Sequence, residues 1–266
     1  MRQSTISTAE ICLKRAKYSL SSTERHASEA SAAGTGYHAG LEWFYPNCDR
    51  HGPPTLNELE KMLVVAESAL YAELSSCRVR LSSDDDLASR MITGLREYVG
   101  HGKMEPQFWG PQYKVLGVEY KIIGRYGDVD VTGSVDLALE EDDGGVILVD
   151  HKTAGRKWDK HKHDPRKNVQ SPWYWYWFQQ MNPDVPRVRF CFDIMTISGK
   201  GSACTFERRL SEVMPKHAEA VLEKAIAYNT LLQYPVELLP GNTSSTLCSE
   251  VYCDFWDVCP NGAAAE

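Results

Sequence analysis

The sequence has no long hydrophobic run, no surplus of positive charge and no low-complexity region. No window of its 266 residues approaches the apolar length of a membrane-spanning helix, and the polar N-terminus lacks the apolar segment of a secretory signal. We therefore expect a soluble, cytoplasmic protein with no membrane partner. The formal net charge of −7 excludes a protein that is basic over its whole surface, although it permits a locally basic groove.

Two nucleotide- and metal-binding motifs are also missing from the sequence. It contains no G-x-x-x-x-G-K-[ST] loop, so we expect no nucleotide cofactor and no ATP-driven motor. It contains eight cysteines but no C-x2-C pair of the kind that zinc sites use. Because a reducing cytosol disfavours disulfides, a clustered subset of these cysteines is expected to bind metal.

The first part of the chain has the hydrophobic period of helices. Residues 1–110 are predicted to be mainly helical. One helix is expected over 55–77, where Thr55 and Glu58 form a capping-box pattern, and another over 84–99.

A different pattern follows, and it sets the fold class. Residues 21–36 are small and polar, which predicts a mobile connection. Residues 111–210 have the period of β-strands, with one helix at about 169–181. Residues 211–266 hold a helix and a cysteine-bearing tail. We predict a single α/β (α+β) domain over residues 1–266, with helices flanking a central mixed β-sheet.

Two carboxylates lie on neighbouring predicted strands, Asp136 late in 128–140 and Asp150 near the end of 146–152. A hairpin through EDDGG would place them side by side, with Lys152 on the same strand face as Asp150. Clustered carboxylates repel each other, and a divalent cation such as Mg²⁺ or Mn²⁺ relieves that repulsion. Such a site can hydrolyse a phosphodiester. The alternative is a set of solvated strand-end residues, and these residues alone do not decide between the two interpretations.

The predicted helix after these strands carries a polar pair and an aromatic run. Gln170 and Tyr174 are four residues apart and share one face, which requires Pro172 to lie in the first turn. We interpret the aromatic residues 173–178 as core, with base stacking as the alternative. The preceding basic segment, 155–168, is either a solvated loop or a phosphate-binding loop. We favour phosphate binding, with contacts from Arg156, Lys157, Lys160 and Lys162.

The cysteines form a sparse pattern that joins the two ends of the chain. Cys248, Cys253 and Cys259 are separated by four and five residues, and Cys12 completes a set of four. Four thiolates can hold Zn²⁺ or a [4Fe–4S] cluster, and the spacing favours the cluster. We interpret the remaining cysteines as structural: Cys48, Cys77, Cys191 and Cys204.

In order and spacing, these motifs resemble the PD-(D/E)XK nuclease superfamily, in particular its RecB-like branch. GSVDLAL and VILVDHKTAGRKW are similar to its catalytic core, and GTGYHAGLEW (34–43) to its helix-borne histidine motif. Gln170 and Tyr174 reproduce a Q-x-x-x-Y motif. The terminal cysteines resemble those that hold an iron–sulfur cluster in AddB and in CRISPR-associated RecB-like exonucleases. One difference is that four residues separate Cys248 from Cys253, whereas two separate the corresponding cysteines of those proteins. The resemblance covers residues 5–260.

The resemblance implies a restriction-endonuclease-like core and a metal-dependent deoxyribonuclease, an exonuclease acting on single-stranded DNA ends. Its implied cofactors are Mg²⁺ or Mn²⁺ and a [4Fe–4S] cluster, and its implied partners are DNA and recombination or CRISPR-adaptation proteins. The alternatives are a DNA-binding or CRISPR-adaptation accessory module that does not cut, and a site-specific endonuclease.

The resemblance also assigns roles to individual residues. A lone histidine is more often a surface or core residue, but the motif makes His38 a metal ligand together with Asp136 and Asp150. Lys152 would serve the nucleophile or the transition state. Glu119 is either a peripheral ligand or an exposed strand residue. Substrate would be positioned by Gln170 and Tyr174.

Overall fold

The computed structural model describes residues 1–22, 26–76, 78–80, 87–155, 164–166, 168–198, 203–250 and 252–262. Its helices are α1 (Gln3–Ile11), α2 (Leu13–Ser21), α3 (Glu29–Asn47), α4 (Leu56–Ser76), α5 (Leu87–Tyr98), α6 (Gln170–Met181) and α7 (Pro215–Leu231). Its strands are β1 (His26–Ser28), β2 (Arg78–Arg80), β3 (Lys114–Tyr126), β4 (Val129–Glu140), β5 (Val146–Ala154), β6 (Val188–Ser198) and β7 (Ala203–Glu212).

Five strands form the main sheet, in the order β3-β4-β5-β6-β7. Neighbouring strands are antiparallel except for β5 and β6, which are parallel and are joined through α6. A parallel pair needs such a crossover connection. The mixed sheet flanked by helices confirms the predicted fold class. None of the described helices combines the length and apolarity needed to cross a membrane.

The central strand β5 contributes to the hydrophobic core on both faces of the sheet. Ile147 and Val149 belong to the cluster formed with α3, α4 and α5, whereas Val146 and Leu148 belong to the cluster formed with α6 and α7. All four are essentially fully buried. A strand covered on both sides reads as a continuous apolar run, and residues 146–149 (VILV) are such a run.

Side-chain hydrogen bonds fix the first residues of α4 and α6, close to the positions predicted from the sequence. The Thr55 backbone N–H donates to Glu58 Oε2 at 2.7 Å and the Glu58 N–H donates to Thr55 Oγ1 at 3.3 Å, which is a capping box. At the start of α6, the Gln170 N–H donates to Asn168 Oδ1 at 2.7 Å. Pro172 lies in the first turn, where its missing N–H costs no helical hydrogen bond.

The aromatic run on α6 is mostly core, as interpreted: Trp173, Tyr174, Trp177 and Phe178 are buried. The cysteines outside the terminal set are dispersed. Cys191 is fully buried in β6, and Cys48 and Cys204 pack against the cluster of α3, α4 and α5. Cys77 lies outside the described residues.

The mobile connection predicted for residues 21–36 is wrong over its second half, because α3 already begins at Glu29. Gly36, near the end of that segment, serves helix packing. A Cβ on Gly36 would lie 2.2 Å from Met91 Sδ and 2.8 Å from the backbone oxygen of Ala66. Glycine is therefore needed where α3 crosses its neighbours, which a composition-based prediction of flexibility cannot distinguish from a linker.

We expect Gly36→Ala to lower the free energy of unfolding by about 1–3 kcal/mol, because the added methyl group overpacks the contact with α4. Gly52→Ala is the matched control, since a Cβ there meets nothing within 4 Å, and we expect a change within about 0.5 kcal/mol. Denaturant titration measures both. A stabilised Gly36→Ala variant would contradict the packing role, because relief of glycine's chain entropy alone stabilises a helix.

Candidate active site

The candidate site lies where β4 and β5 stop pairing. Their ladder runs from Glu140 opposite Val146 to Leu137 opposite Val149. The next residue on each strand is a carboxylate, Asp136 on β4 and Asp150 on β5. The two strand ends therefore place the carboxylates side by side, as the hairpin predicts.

Asp136 is held by the neighbouring strand and by a helix on one side of the sheet. The backbone N–H of His151 donates to Asp136 Oδ2 at 2.6 Å, and Nδ1 of His38, on α3, lies 3.3 Å from the same oxygen. Burial alone would raise the pKa of Asp136, but the attraction of His38 outweighs it and holds the pKa below its usual range. Burial likewise opposes the charge on His38, and Asp136 overcomes it to raise the pKa of the imidazole.

Asp150 is held mainly from the other side of the sheet. Its Oδ1 accepts a hydrogen bond from Nε2 of Gln170, the first residue of α6, and its Oδ2 forms an ion pair with Nζ of Lys152. Burial raises the pKa of Asp150 to about 6 against the attraction of Lys152, and the charge on Asp136 acts in the same direction as burial. Burial would lower the pKa of Lys152, but Asp150 raises it, so the ammonium stays charged.

Tyr174 lies one helical turn after Gln170 and supports it. The two side chains are hydrogen-bonded to each other, and Tyr174 is almost fully buried. Gln170 thus touches a carboxylate of β5 directly, whereas Tyr174 reaches that carboxylate through Gln170. The i, i+4 spacing brings both residues of the Q-x-x-x-Y pair to the site.

Glu119 on β3 completes a group of three possible metal ligands. One ligand atom from each of His38, Glu119 and Asp136 lies within 4.8 Å of the other two. Among the described residues, no other three histidine, cysteine or carboxylate side chains place their ligand atoms this close together. Glu119 is half-buried, and its φ of 48° is left-handed. The group does not include Asp150, whose oxygens are engaged by Gln170 and Lys152.

This donor set fits a small divalent cation. Two carboxylates suit Mg²⁺ and Mn²⁺, and the imidazole nitrogen shifts the balance towards Mn²⁺. The fit also follows from electrostatics, because the half-buried Asp136 and the buried Asp150 lie close together and each raises the cost of ionising the other. A cation at His38, Glu119 and Asp136 would offset that cost.

A buried polar network supports the candidate site from behind. This network was not predicted from the sequence. The imidazole of His151 is buried and stacks on Tyr45 with ring centroids 6.0 Å apart, and its Nδ1 lies 4.0 Å from Asp193 Oδ2. Asp193 accepts hydrogen bonds from Trp109 Nε1 at 2.8 Å and Arg208 Nε at 2.7 Å. Burial lowers the pKa of His151 to about 4, so the ring is neutral at physiological pH. The sequence does contain one indication of this network, which is the single acidic residue Asp193 inside the apolar run RFCFDIM.

The structure also locates the cysteine set. All four predicted cluster ligands, including Cys248 with its wider spacing, line one cavity together with Tyr18 and Trp256: Cys12, Cys248, Cys253 and Cys259. The four residues predicted to bind phosphate lie outside the described residues: Arg156, Lys157, Lys160 and Lys162.

A mixed sheet whose central strands end in paired carboxylates and a lysine, beside a histidine from a flanking helix, has the composition of a metal-dependent phosphodiesterase site. A family model for the PD-(D/E)XK nuclease superfamily matches residues 3–260, and the chain belongs to this superfamily. Its class is therefore that of a metal-dependent nuclease.

Other comparisons add little to this assignment. Fourteen solved chains are similar to this one. One of them, the crystal structure of SSO0001, is 15% identical, with a TM-score of 0.37 and coverage of 93% of this chain and 94% of that chain. No curated protein matches this chain.

We expect Glu119→Gln to weaken Mn²⁺ binding by at least about tenfold, because it removes a charged ligand from the three-residue group. Glu212→Gln, at the exposed end of β7, is the matched control and should bind Mn²⁺ as the wild type does. Titration followed by the electron paramagnetic resonance signal of free Mn²⁺ measures affinity without relying on activity. Equal affinities of the two variants would show that Glu119 is not a ligand.

Proposed function

We propose that the protein is a RecB-like exonuclease that hydrolyses single-stranded DNA from its ends with Mg²⁺ or Mn²⁺. The observation that carries the proposal is the hydrogen bond from Gln170 to Asp150, because it joins the Q-x-x-x-Y pair to the catalytic strand. The ion pair of His38 with Asp136 supports it further. On this proposal residues 1–266 act as one nuclease domain.

The chain's own residues would each perform a limited task. A bound divalent cation would polarise the phosphodiester and lower the pKa of a water molecule. His38, Glu119 and Asp136 would hold that cation, with Asp150 adjacent to it. Lys152 keeps its proton and would stabilise negative charge that develops on the scissile phosphate. Gln170 orients Asp150, and Tyr174 keeps Gln170 in place.

The preference for single-stranded ends rests on the resemblance of the motif set to AddB and to CRISPR-associated exonucleases. The same resemblance suggests recombination or CRISPR-adaptation proteins as partners. A site-specific endonuclease and a DNA-binding accessory module are the alternatives. The cluster of Asp136, Asp150 and Lys152, in which Asp150 is buried and the other two are half-buried, favours an enzyme, because a protein that only binds DNA gains nothing from burying a carboxylate.

We further propose that the cysteine cavity holds a [4Fe–4S] cluster. Burial raises the pKa of Cys248, and the neighbouring Cys253, Cys12 and Cys259 raise it further. Four thiolates that line one cavity repel one another, so a cationic iron centre would stabilise them.

The spacing of the sulfur atoms favours a cluster over a single zinc ion. Tetrahedral Zn–S bonds of about 2.3 Å place the thiolates roughly 4 Å apart. Among the described residues, no three cysteine sulfurs all lie within 4.8 Å of one another, whereas the ligand atoms of His38, Glu119 and Asp136 do. A cluster with four separate iron atoms holds its thiolates further apart.

Contacts around this cavity already attach the tail to α2. Arg15 forms an ion pair with Asp254 at 3.1 Å. The Tyr18 hydroxyl donates to the backbone oxygen of Val258 at 3.0 Å, and its ring stacks on Phe255 with centroids 5.4 Å apart. The cluster would therefore reinforce a junction between the two ends of the chain rather than perform redox chemistry.

We expect Asp150→Ala and Lys152→Ala each to lower kcat on an end-labelled single strand by at least about 100-fold, with DNA affinity largely retained. The matched controls are Asp128→Ala, in the exposed turn after β3, and Lys114→Ala, at the exposed start of β3. Thermal melts establish that each variant is folded. Near-normal cleavage by either site variant, with Mg²⁺ and with Mn²⁺, would refute the assignment.

Protein purified without oxygen should be brown and contain about four iron atoms per chain. Cys12→Ser, Cys253→Ser and Cys259→Ser should lose the colour and melt at lower temperature, because cluster binding is coupled to folding. Cys48→Ser is the control and should keep the colour. Cys248→Ser tests the fourth ligand. Zinc in place of iron in the anaerobic protein would exclude the cluster and leave the nuclease proposal intact.

A further inference from the structure

Two polar grooves adjoin each other between the first two helices and the sheet. The nearer one, of about 410 Å³, lies between the start of α1 and the β3–β4 hairpin, and its lining includes Lys121, Ser134 and Tyr174. The further one, of about 690 Å³, is bounded by α1, α2 and the end of α7. Both are lined by Arg2, Ser4 and Thr132, so we treat them as one continuous depression, the N-terminal groove.

The N-terminal groove begins beside the candidate active site. Tyr174 lines it, and the side chain of Tyr174 is hydrogen-bonded to Gln170, whose Nε2 donates to Asp150 Oδ1. Ser134, which also lines the groove, precedes Asp136 by two residues on β4. A chain lying in the groove would therefore lead directly to the carboxylates.

The lining of the groove is suited to an anion. The chain has 36 acidic residues, yet no carboxylate occurs among the described residues that line either part. Three cations do: Arg2, Lys17 and Lys121. Lys17 donates to the backbone oxygen of Leu232 at 2.6 Å. Arg2 and Lys121 are exposed, and neither has an ion-pair partner in the described parts of the chain.

The uncharged lining residues point to a sugar–phosphate backbone rather than to a simple ion. They are mainly serine, threonine, asparagine and glutamine, and these side chains, with arginine and lysine, make most protein contacts to phosphate and sugar oxygens. The groove also extends along two helices, which is more than a single phosphate occupies. A positive groove that follows the backbone is how proteins bind single strands without reading sequence.

We propose that the N-terminal groove binds the backbone of a single DNA strand whose scissile bond lies at Asp136 and Asp150. The inference rests on the proposed function for the identity of the strand. It is separate from the basic segment 155–168, because it uses residues of α1, α2 and the β3–β4 hairpin. Arg2 and Lys121 would contact phosphates, and the hydroxyl and amide side chains would contact phosphate or sugar oxygens.

The first test compares the double variant Arg2→Ala/Lys121→Ala with wild type in binding a fluorescent single-stranded 30-mer without divalent metal. Losing two phosphate contacts should make the slope of log affinity against log salt shallower by about 1.4, since each single-strand contact contributes about 0.7. The control double variant Lys61→Ala/Lys216→Ala removes the same charge from exposed helix positions. Lys216 lies about 20 Å along α7 from Asn229, which lines the groove.

The control variant should keep the wild-type slope. An unchanged slope in the Arg2→Ala/Lys121→Ala variant would overturn the proposal. So would a variant that binds blunt duplex more weakly but binds the single strand as wild type does, because the groove would then contact a different form of DNA.

A second measurement separates the groove from the chemistry. The ratio of kcat/KM for the 30-mer to kcat/KM for a small chromogenic phosphodiester should fall several-fold in the groove variant, because only the long strand reaches Arg2 and Lys121. An unchanged ratio would count against the groove. If wild type cleaves neither substrate, the proposed function fails, and the salt slope still decides whether the groove binds a strand.

Discussion

Two neighbouring carboxylates, Asp150 buried and Asp136 half-buried, lie at one break in the β4–β5 ladder, and their charge is the constraint that the rest of the site satisfies. A buried charge without a partner is strongly unfavourable, so each carboxylate recruits one. His38 on α3 pairs with Asp136, while Gln170 on α6 and Lys152 on β5 hold Asp150. Helices on both faces of the sheet are thereby tied to the same two strand ends. The negative charge that remains, increased by Glu119, is what a divalent cation offsets.

The backbone at Glu119 shows how the strands make room for this charge. Val118 pairs with Leu137 and Tyr120 with Val135, so Glu119 faces Asp136 between two regular pairs. A left-handed φ at a residue other than glycine costs about 1–3 kcal/mol, and such strain is typical of functional sites. At the same point the alternation of side chains along β4 is interrupted. Val135 and Leu137, two residues apart, face opposite sides of the sheet, because Val135 and Ala138 belong to one core cluster and Leu137 to the other. The irregularity brings both acids into reach of His38.

The sequence was informative where function or structure depends on local spacing. The capping box and the Q-x-x-x-Y helix each follow from residues a few positions apart, and the paired strand ends follow from one short hairpin. Contacts between segments far apart in the sequence could not be predicted from local spacing. Gly36 looks like part of a linker because the close approach of Met91 and Ala66 is a property of the assembled helices. The role of Asp193 likewise depends on Trp109 and Arg208, which come from two other segments.

The geometry of α1 and α2 connects the cysteine cavity to the N-terminal groove. Cys12 is the single residue between these helices, and it has an extended backbone that sets the angle at which they meet. The groove lies along both helices, while the cysteine cavity lies at their junction. A group bound by the cysteines would therefore fix the relative orientation of the two helices that line the groove. If the cysteines hold the proposed iron–sulfur cluster, it would influence how the proposed DNA strand is held. The carboxylates of β4 and β5 keep their positions through contacts with α3 and α6 that do not involve the tail.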